Sequence, residues 1–294
     1  TDITETLDNY IADKDAGVNS MLTDVRLYKG DVFTIGARPG VGKTAMKTAM
    51  MLAIARLGFP CLYITTEMSK EEMLCRVLPI ATGIPAERFL EKTLSLQDMR
   101  RIGGIVAEEL SKLPIKIWAH SSPTIADVQA AVVQSKCRVA FLDYLQRFTF
   151  PELRKQDART YQITEFMKRL KTFAAQAGVS IVLGCQLDRK LDREKREPGL
   201  SDLSDSGGVE KESVSVGLMW EDKEDEEVGP SGGLKKIRWK TAKARKGRVG
   251  RRINLSFRED FVQMLSDLYE GPNLPQESAE EKSFAEKSMD WFDN

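Results

Sequence analysis

A short glycine-rich segment near residue 40 carries the residue types that bind phosphate groups. It consists of eight consecutive residues ending in Gly-Lys-Thr: Ala37, Arg38, Pro39, Gly40, Val41, Gly42, Lys43 and Thr44. Gly40 and Gly42 allow backbone N–H groups to curl inward around phosphate oxygens. Lys43 can reach the terminal phosphates as a point charge, and Thr44 can place its hydroxyl on Mg²⁺. The segment therefore predicts a P-loop.

The segments on either side of the P-loop strengthen this interpretation. An apolar run, residues 32–35, enters it, and a helix-forming run, residues 45–57, leaves it. A strand, a turn and a helix in this order aim the helix N-terminus at the same anion. The first motif position is Ala37 with Gly36 one residue early, which is a mild departure from the usual pattern. A glycine-rich turn without a ligand is the alternative, and the context disfavours it.

Two carboxylates lie at the ends of predicted strands beyond the P-loop. Asp143 follows the apolar strand 138–142, and an acid in that place in P-loop enzymes holds Mg²⁺, usually through water. Glu67 follows strand 60–66 and can orient and deprotonate a water molecule that attacks the γ-phosphate. The alternatives are a strand-ending turn for Asp143 and an interaction with the dipole of the following helix for Glu67.

Three further side chains have roles that spacing alone leaves open. Gln186 comes shortly after strand 179–183, where an amide can bond the γ-phosphate or the water, although a Gln after a strand is unremarkable by itself. Lys243 and Arg245 lie in a basic cluster, which is typical of a solvated face or a nucleic-acid contact. Alternatively, one arginine reaches a neighbour's ATP as an arginine finger that stabilises transition-state charge.

Composition and charge disfavour several classes of protein. The 294 residues hold 44 Lys and Arg and 44 Asp and Glu, but residues 221–227 are mostly acidic and residues 235–252 mostly basic. No apolar stretch approaches the ~20 residues of a membrane helix, and no signal-peptide pattern is present. A single histidine disfavours a His-based zinc site or a Ser-His-Asp triad. The cysteines are predicted to be buried free thiols in a reducing compartment: Cys61, Cys75, Cys137 and Cys185.

The order of the predicted elements indicates the fold class and the domains. Strands alternating with helices predict an α/β fold with a mostly parallel central sheet flanked by helices, and late strands after residue 236 are predicted to be antiparallel. Ligands of such sheets bind beyond the carboxyl ends of the strands. Residues 18–270 form the predicted domain, which begins with a loop over residues 18–30. Residues 1–17 are expected to form a short docking helix or a frayed terminus, and residues 271–294 a disordered acidic-aromatic tail that is either solvated or binds a partner.

Six segments in the same order resemble the motor domain of the DnaB-type hexameric replicative helicases, which has a RecA-like P-loop NTPase fold. The resemblance spans about residues 18–262. The matching segments are 37–44, similar to the Walker A motif; 66–69, similar to the motif of the catalytic base; 142–146, similar to Walker B; 186–189, similar to the sensor motif; 200–207, similar to the DNA-loop motif; and 242–247, similar to the segment that acts on the next subunit.

This resemblance implies an ATP-driven ring, a hexamer, that translocates 5′ to 3′ on single-stranded DNA and unwinds duplex DNA. It implies these roles: phosphate binding by Lys43 and Thr44, water-mediated Mg²⁺ binding by Asp143, activation of water by Glu67, γ-phosphate sensing by Gln186, and completion of the neighbour's site by Arg245 and Lys243. It also implies a primase, a helicase loader or a tail-binding replication partner. The location implied is the bacterial cytoplasm, or the host cytoplasm for a phage protein.

The chain departs from the family pattern in the DNA-loop motif. Ser204-Asp205 stands where the family usually has Arg-Glu, and Glu212-Ser213-Val214 where it has Asp-Ala-Asp. DNA contact is therefore expected from the following set: Arg189, Lys190, Arg193, Lys195, Arg196, Ser204, Asp205 and Gly207. The family's N-terminal helical collar is not matched. Residues 1–17 resemble only its linker helix, which packs on the neighbouring subunit, as expected of a trimmed version or a short phage or plasmid version.

Two other functions stay open on the sequence. A RecA-type recombination or repair ATPase that forms filaments has the same fold, and fold alone does not decide function. A non-unwinding, helicase-like ATPase adaptor that recruits a partner through the acidic-aromatic tail is the second. Strand exchange or an open helical assembly favours the first, and ATPase activity that DNA does not stimulate favours the second.

Overall fold

The structure of the chain is a computed structural model. It describes residues 17–19, 26–150, 159–194, 196–204, 206–221, 234–245 and 249–266. The helix predicted for residues 1–17 lies outside these residues except for Gly17, and the tail predicted for residues 271–294 lies wholly outside them. Among the described helices, none combines the length and the apolar character needed to cross a membrane.

Strands and helices alternate along most of the described chain. The strands are β1 (Gly17–Asn19), β2 (Arg26–Tyr28), β3 (Val32–Ala37), β4 (Cys61–Thr65), β5 (Ile115–Ala119), β6 (Val139–Asp143), β7 (Ser180–Gln186), β8 (Ser215–Glu221), β9 (Leu234–Ala244), β10 (Arg252–Arg258) and β11 (Gln263–Ser266). The α-helices are α1 (Lys43–Arg56), α2 (Lys70–Thr82), α3 (Ala86–Leu90), α4 (Leu96–Glu108), α5 (Ile125–Ser135), α6 (Arg159–Ala177), α7 (Leu191–Glu194) and α8 (Ser206–Glu212).

One sheet of nine strands organises the fold. Its strand order is β11-β10-β9-β8-β3-β7-β6-β4-β5. Six neighbouring strands are mutually parallel: β8, β3, β7, β6, β4 and β5. The remaining pairs, β8 with β9, β9 with β10 and β10 with β11, are antiparallel. The predicted α/β class, the mostly parallel sheet and the late antiparallel strands are therefore confirmed.

Helices cover both faces of the parallel strands, which explains why those strands are nearly continuous apolar runs. On one face, α1 and α2 share a hydrophobic cluster with Tyr63, Phe141 and Trp239. On the other face, α5 and α6 share a second cluster with Ile64 and Leu142. Every residue of β3, β4 and β6 is buried. The strand ends that carry polar residues are thus held by packing from both sides.

Side-chain caps start the helices that follow the buried strands. The Ser69 hydroxyl accepts a hydrogen bond from the Glu72 backbone N–H, and the Glu72 carboxylate accepts one from the Ser69 N–H. Thr124, which precedes α5, has the same arrangement, with Asp127 as the reciprocal partner. Such capping boxes satisfy N–H groups that have no partner within the helix. They set the direction in which the chain leaves the sheet.

Several local expectations were wrong or inexact. Residues 18–30 were predicted to be a loop, but they contain part of β1 and all of β2, which pair antiparallel. Helix α8 was not predicted, because its two glycines lower helix propensity. A Cβ on Gly208 would lie 2.5 Å from Cα of Thr164, so glycine there permits α8 to approach α6. Cys75 is only partly buried, whereas the other three free cysteines are buried as predicted.

The approach of β8 to β9 depends on a glycine beside a large buried side chain. A Cβ on Gly217 would lie 1.8 Å from the ring of Trp239, which is fully buried. We expect Gly217→Ala to lower the free energy of unfolding by about 3 kcal/mol through overpacking. Urea denaturation measures this loss.

Gly103→Ala is the matched control for this change. Gly103 lies on α4, where an added Cβ would meet nothing within 4 Å. Since alanine favours a helix more than glycine does, the control should raise the free energy of unfolding by up to about 1 kcal/mol. Equal effects of the two substitutions would contradict a steric role for Gly217.

Candidate active site

The P-loop connects β3 to α1 at the carboxyl edge of the sheet. Gly40 and Gly42 have φ values of 83° and 94°, a region in which other residues are strained. Gly42 is the N-cap of α1, which begins at Lys43. The first N–H groups of α1 have no partner within the helix, so they are available to an anion held in the loop.

A cleft of about 430 Å³ brings most of the predicted site residues together. Predicted residues in its lining are Arg38, Pro39, Gly40, Gly42, Lys43, Thr44, Glu67, Asp143 and Gln186. Unpredicted residues in its lining are Ala45, Arg76, Tyr144, Phe257 and Glu259. The motif residues Ala37 and Val41 are buried and do not line it.

The parallel register explains why residues distant in sequence meet at this cleft. Ala37 at the end of β3 pairs with Gln186, and Thr65 at the end of β4 pairs with Asp143. Gln186 is itself the last residue of β7, so the expectation that it follows the strand by several residues was inexact. Parallel strands end at one edge, and their last side chains therefore converge there.

Asp143 is the centre of a buried polar network. Thr44 Oγ1 donates a hydrogen bond to Oδ2 of Asp143 at 2.7 Å, and the Tyr63 hydroxyl donates to the same oxygen at 2.9 Å. The Lys47 ammonium forms an ion pair with Oδ1 and donates to the Leu142 carbonyl oxygen at 3.3 Å. Both carboxylate oxygens are therefore held by side chains of α1 and β4.

Burial and pairing set the ionisation of this network. Burial by itself raises the pKa of the Asp143 carboxyl, but the charge of Lys47 and hydrogen bonds from Lys47 and Thr44 outweigh it and keep this pKa below its usual value. Burial lowers the pKa of Lys47 to about 8, against the opposing effect of Asp143. Burial, together with the Asp143 charge, raises the pKa of Tyr63 well above its usual value. At neutral pH the pair is ionised and Tyr63 remains a hydrogen-bond donor.

The donor set fits a magnesium ion that is shared with a nucleotide. Mg²⁺ prefers oxygen ligands and usually keeps several waters, taking one or two protein carboxylates plus substrate phosphates. Thr44 and Asp143 supply a hydroxyl and a carboxylate next to the P-loop. The described residues contain no cluster of three or more His, Cys, Asp or Glu side chains that would form an all-protein metal site. A metal bound beside Thr44 and Asp143 would therefore take part of its ligands from phosphate.

Lys43 and Glu67 both line the cleft. Lys43 Nζ donates to the carbonyl oxygen of Cys185 at 3.3 Å and lies 4.9 Å from the ring centroid of Tyr144. Burial lowers the pKa of Lys43. The Glu67 carboxylate is about half exposed, and Arg147 Nη2 donates to its Oε1 at 3.3 Å. A carboxylate in this position is accessible to water.

Lys243 and Arg245 lie at the opposite edge of the sheet from this cleft. The backbone N–H of Arg245 donates to Val214, and the N–H of Val214 donates to Val32, where β3 begins. The P-loop follows the other end of β3, about 17 Å away at the usual rise of a parallel strand. Lys243 Nζ donates to the carbonyl oxygen of Glu210 at 2.6 Å, and Arg245 is exposed. The fold therefore does not bring these two cations to the P-loop of their own chain.

The segment predicted to contact DNA is joined directly to the sensor residue. The Ser204 N–H donates to the carbonyl oxygen of Gln186 at 2.9 Å, and the Asp188 N–H donates to that of Asp202 at 2.7 Å. Arg189 and Lys190 are exposed in the turn between β7 and α7, and Gly207 is exposed at the start of α8. Lys195 and Asp205 lie outside the described residues, and so does the side chain of Arg193.

Arg196 is engaged within this segment rather than facing solvent freely. Its guanidinium forms two hydrogen bonds to Asp202, at 2.6 and 2.7 Å, and another to Glu194 at 2.6 Å. The next residue, Glu197, pairs with Lys240 of β9 and with Arg252 of β10. Arg196 therefore ties parts of the segment together and Glu197 joins the segment to the sheet, while the DNA contact expected at Arg196 stays a prediction.

Sequence reasoning missed two members of the Asp143 network. Lys47 is a charged residue among the apolar residues of α1, three residues after Thr44. Because residues three apart share a helix face, this spacing could have indicated that Lys47 faces the same site as Thr44. Tyr63 gave no signal, since an aromatic residue is ordinary in a buried strand. Phe257 and Glu259 come from β10 and the turn after it, and only the sheet order brings them to the cleft.

Comparison with known proteins identifies a family and its relatives. Residues 19–266 match the family described as DnaB-like helicase C terminal domain. The chain is 27% identical over 254 residues to the replicative DNA helicase DnaB of Mycoplasma genitalium, covering 81% of the chain and 52% of that relative. It is 29% identical over 198 residues to that of Helicobacter pylori, covering 65% and 40%. The chain thus spans about half the length of the curated relatives it matches.

Two solved structures have the same fold. The ATPase domain of G40P superposes with a TM-score of 0.77 at 24% identity, over 90% of this chain and 96% of that one. A DnaB-like replicative helicase, described with its interactions with primase, superposes with a TM-score of 0.75 at 24% identity, over 90% and 67%. These likenesses confirm the predicted RecA-like fold.

The hydroxyl of Tyr63 provides a test of the Asp143 network. Tyr63→Phe removes a buried donor to Oδ2 and keeps the ring, so the free energy of unfolding should fall by about 1–2 kcal/mol. Urea denaturation measures it. Tyr161→Phe, an exposed position on α6, is the control and should change stability by less than about 0.5 kcal/mol. A Tyr63→Phe protein as stable as the wild type would show that this hydrogen bond does not stabilise the site.

Proposed function

The chain belongs to the DnaB-like helicase C-terminal domain family, and on that basis we propose that it is the motor of an ATP-driven replicative DNA helicase. In this proposal, copies of the chain form a hexameric ring that translocates 5′ to 3′ on single-stranded DNA and unwinds duplex DNA. The observation that carries the proposal is the position of Lys243 and Arg245, at the sheet edge opposite their own P-loop. Such an arrangement suits an ATP site that a neighbouring copy completes.

Different residues of the cleft bind ATP, hold its metal ion and activate the attacking water. The P-loop N–H groups and Lys43 bind the β- and γ-phosphates. The Thr44 hydroxyl and the Asp143 carboxylate hold Mg²⁺, the latter through water. When bound, Mg²⁺ neutralises charge on the phosphates. Glu67 orients the attacking water and takes its proton, since its carboxylate is accessible at the rim of the cleft.

The neighbouring copy supplies the positive charge that the transition state requires. Arg245 is exposed at the end of β9 and is therefore free to enter the cleft of an adjacent subunit. Lys243, held by the Glu210 carbonyl, approaches the same phosphates beside it. Cations placed where negative charge develops stabilise the transition state more than the bound substrate.

Backbone hydrogen bonds connect the proposed ATP site to the segment that is proposed to bind DNA. Gln186 senses the γ-phosphate through its side chain, while its carbonyl oxygen accepts from Ser204. Movement of Gln186 on phosphate release is passed to the segment that follows. DNA-backbone contacts are assigned to the basic residues of this segment: Arg189, Lys190, Arg193 and Lys195. Ser204, Asp205 and Gly207 complete the proposed contact surface. Phosphate contacts carry no sequence information, which suits a motor that moves along any strand.

The proposed partners follow from the family. Primase is proposed as a partner because a structural relative is described with its interactions with primase. A helicase loader and a replication protein bound by residues 271–294 are also proposed, with the cytoplasm as the place of action. Membership in this family and the occupied catalytic positions disfavour a recombination filament and an inactive adaptor.

Removal of the proposed base provides a first test. Glu67→Gln should lower the rate of ATP hydrolysis by about 10²-fold or more, because the amide cannot accept the proton of water. Binding of a fluorescent ATP analogue should stay within a factor of two or so, since Glu67 does not hold the phosphates. Glu71→Gln, an exposed change on α2, is the control. Normal hydrolysis by Glu67→Gln would remove the assignment of the base.

Mixed assemblies provide a test of the shared site. Arg245→Ala should lower hydrolysis by about 10³-fold while nucleotide binding is retained. Lys43→Ala should be inactive because its own P-loop fails. Mixing the two inactive proteins should restore part of the activity, because an intact P-loop then meets an intact arginine from the neighbour.

The control for this experiment is Arg251→Ala, an exposed arginine close to the same strands. It should retain hydrolysis at close to the normal rate. Failure of the two inactive proteins to complement each other, or loss of nucleotide binding by Arg245→Ala, would argue against a finger that acts between subunits.

A further inference from the structure

We propose that Lys47 is a positioning residue that holds Asp143 from the protein interior and lowers the affinity of the site for its divalent cation. The inference rests on the proposed function, since the cation is the one bound with the nucleotide. It concerns a residue to which the motif roles above give no part. Its basis is the geometry around one buried ammonium group.

Lys47 lies on the same face of α1 as Thr44, three residues further along the helix. Its side chain is 0% exposed, and its ammonium contacts Oδ1 of Asp143. The Leu142 carbonyl oxygen accepts a second hydrogen bond from it at 3.3 Å. Thr44 and Tyr63 hold the other carboxylate oxygen. Side chains of the protein thus hold the carboxylate through both oxygens.

An independent feature of β7 supports a specific place for this ammonium. A Cβ on Gly184 would lie 2.7 Å from Lys47 Nζ and 3.2 Å from Oδ1 of Asp143. Gly184 is not among the glycines with positive φ, so its backbone conformation does not demand glycine. A Cβ there would displace the Lys47 ammonium, which its contacts with Asp143 and the Leu142 carbonyl hold in place. Gly184 and Lys47, which lie far apart in sequence, are therefore complementary in size.

The charge of Lys47 affects the cation site in two opposite ways. A buried carboxylate without a partner is strongly unfavourable, so Lys47 keeps Asp143 ionised and in place when no divalent cation is bound. The same positive charge repels a divalent cation held by Asp143, and charges interact strongly in a poorly solvated interior. The site therefore keeps its geometry between cycles and binds its cation less tightly.

A cation titration without turnover tests the inference. Lys47→Met keeps an unbranched apolar stem and removes the charge. Met50→Leu, a buried change on the same helix outside the Asp143 network, is the matched control. We expect the Kd for Mn²⁺, measured with ADP bound by electron paramagnetic resonance, to fall about tenfold in Lys47→Met. It should not change in Met50→Leu.

A double-mutant cycle with Gly184 tests the placement separately. In the wild type, Gly184→Ala should lower the Tm, because its Cβ meets the ammonium. In the Lys47→Met background the same substitution should cost much less, because Met lacks the Nζ atom. Equal losses of Tm in the two backgrounds would show that Lys47 does not occupy this space, which would overturn the inference.

The outcomes separate the inference from the function on which it rests. An unchanged or increased Kd for Mn²⁺ in Lys47→Met, with normal ADP and Mn²⁺ binding by the wild type, overturns the role of Lys47 alone. Failure of the wild type to bind ADP and Mn²⁺ overturns both. If Lys47→Met does not fold, Lys47→Gln keeps a donor for the carboxylate without the charge, and the same tighter Mn²⁺ binding is expected of it.

Discussion

The buried carboxylate of Asp143 is the interaction on which the rest of the site depends. It is the last residue of β6, and hydrogen bonds and an ion pair tie it to Thr44 and Lys47 of α1 and to Tyr63 of β4. Each of these contacts crosses between elements that the chain forms far apart in sequence. Because a buried charge is tolerated only when it is paired and hydrogen-bonded, the network requires β4, β6 and α1 to take one relative position. The P-loop is thereby fixed to the strand that ends in Asp143.

The sheet separates the chemical groups into two edges. Thr44, Asp143, Glu67 and Gln186 meet where the parallel strands end, whereas Lys243 and Arg245 lie where β3 begins. This separation follows from strand direction: β8 runs parallel to β3, and β9 returns antiparallel beside it. The cleft and the two basic residues therefore lie at opposite edges of the sheet. In the proposed assembly, edge-to-edge association of copies would bring the basic residues of one copy to the cleft of the next.

The segment after β7 is joined to the cleft and to β9 by hydrogen bonds and ion pairs. Gln186 bonds to Ser204 through the backbone, and the ion pair of Arg196 with Asp202 lies within the intervening chain. The ion pair of Glu197 with Lys240 joins that chain to β9. Strand β9 also carries Lys243. The segment proposed to contact DNA, the proposed sensor Gln186 and the strand that carries Lys243 are therefore connected to one another. The basic residues Arg189 and Lys190 are exposed at the surface of this segment.

The sequence by itself determined the P-loop, the alternation of strands and helices, and the capped starts of α2 and α5, because these depend on local patterns within a few residues. It also indicated Asp143 and Glu67, since strand ends are readable from apolar runs. The pairing of Lys47 with Asp143, the need for glycine at Gly184 and the engagement of Arg196 were decided only by the tertiary structure. Helix α8 was decided in the same way, because its glycines argue against a helix until α6 is packed beside them. These features depend on contacts between residues far apart in the chain, and a local pattern carries no information about which distant side chain will share its space.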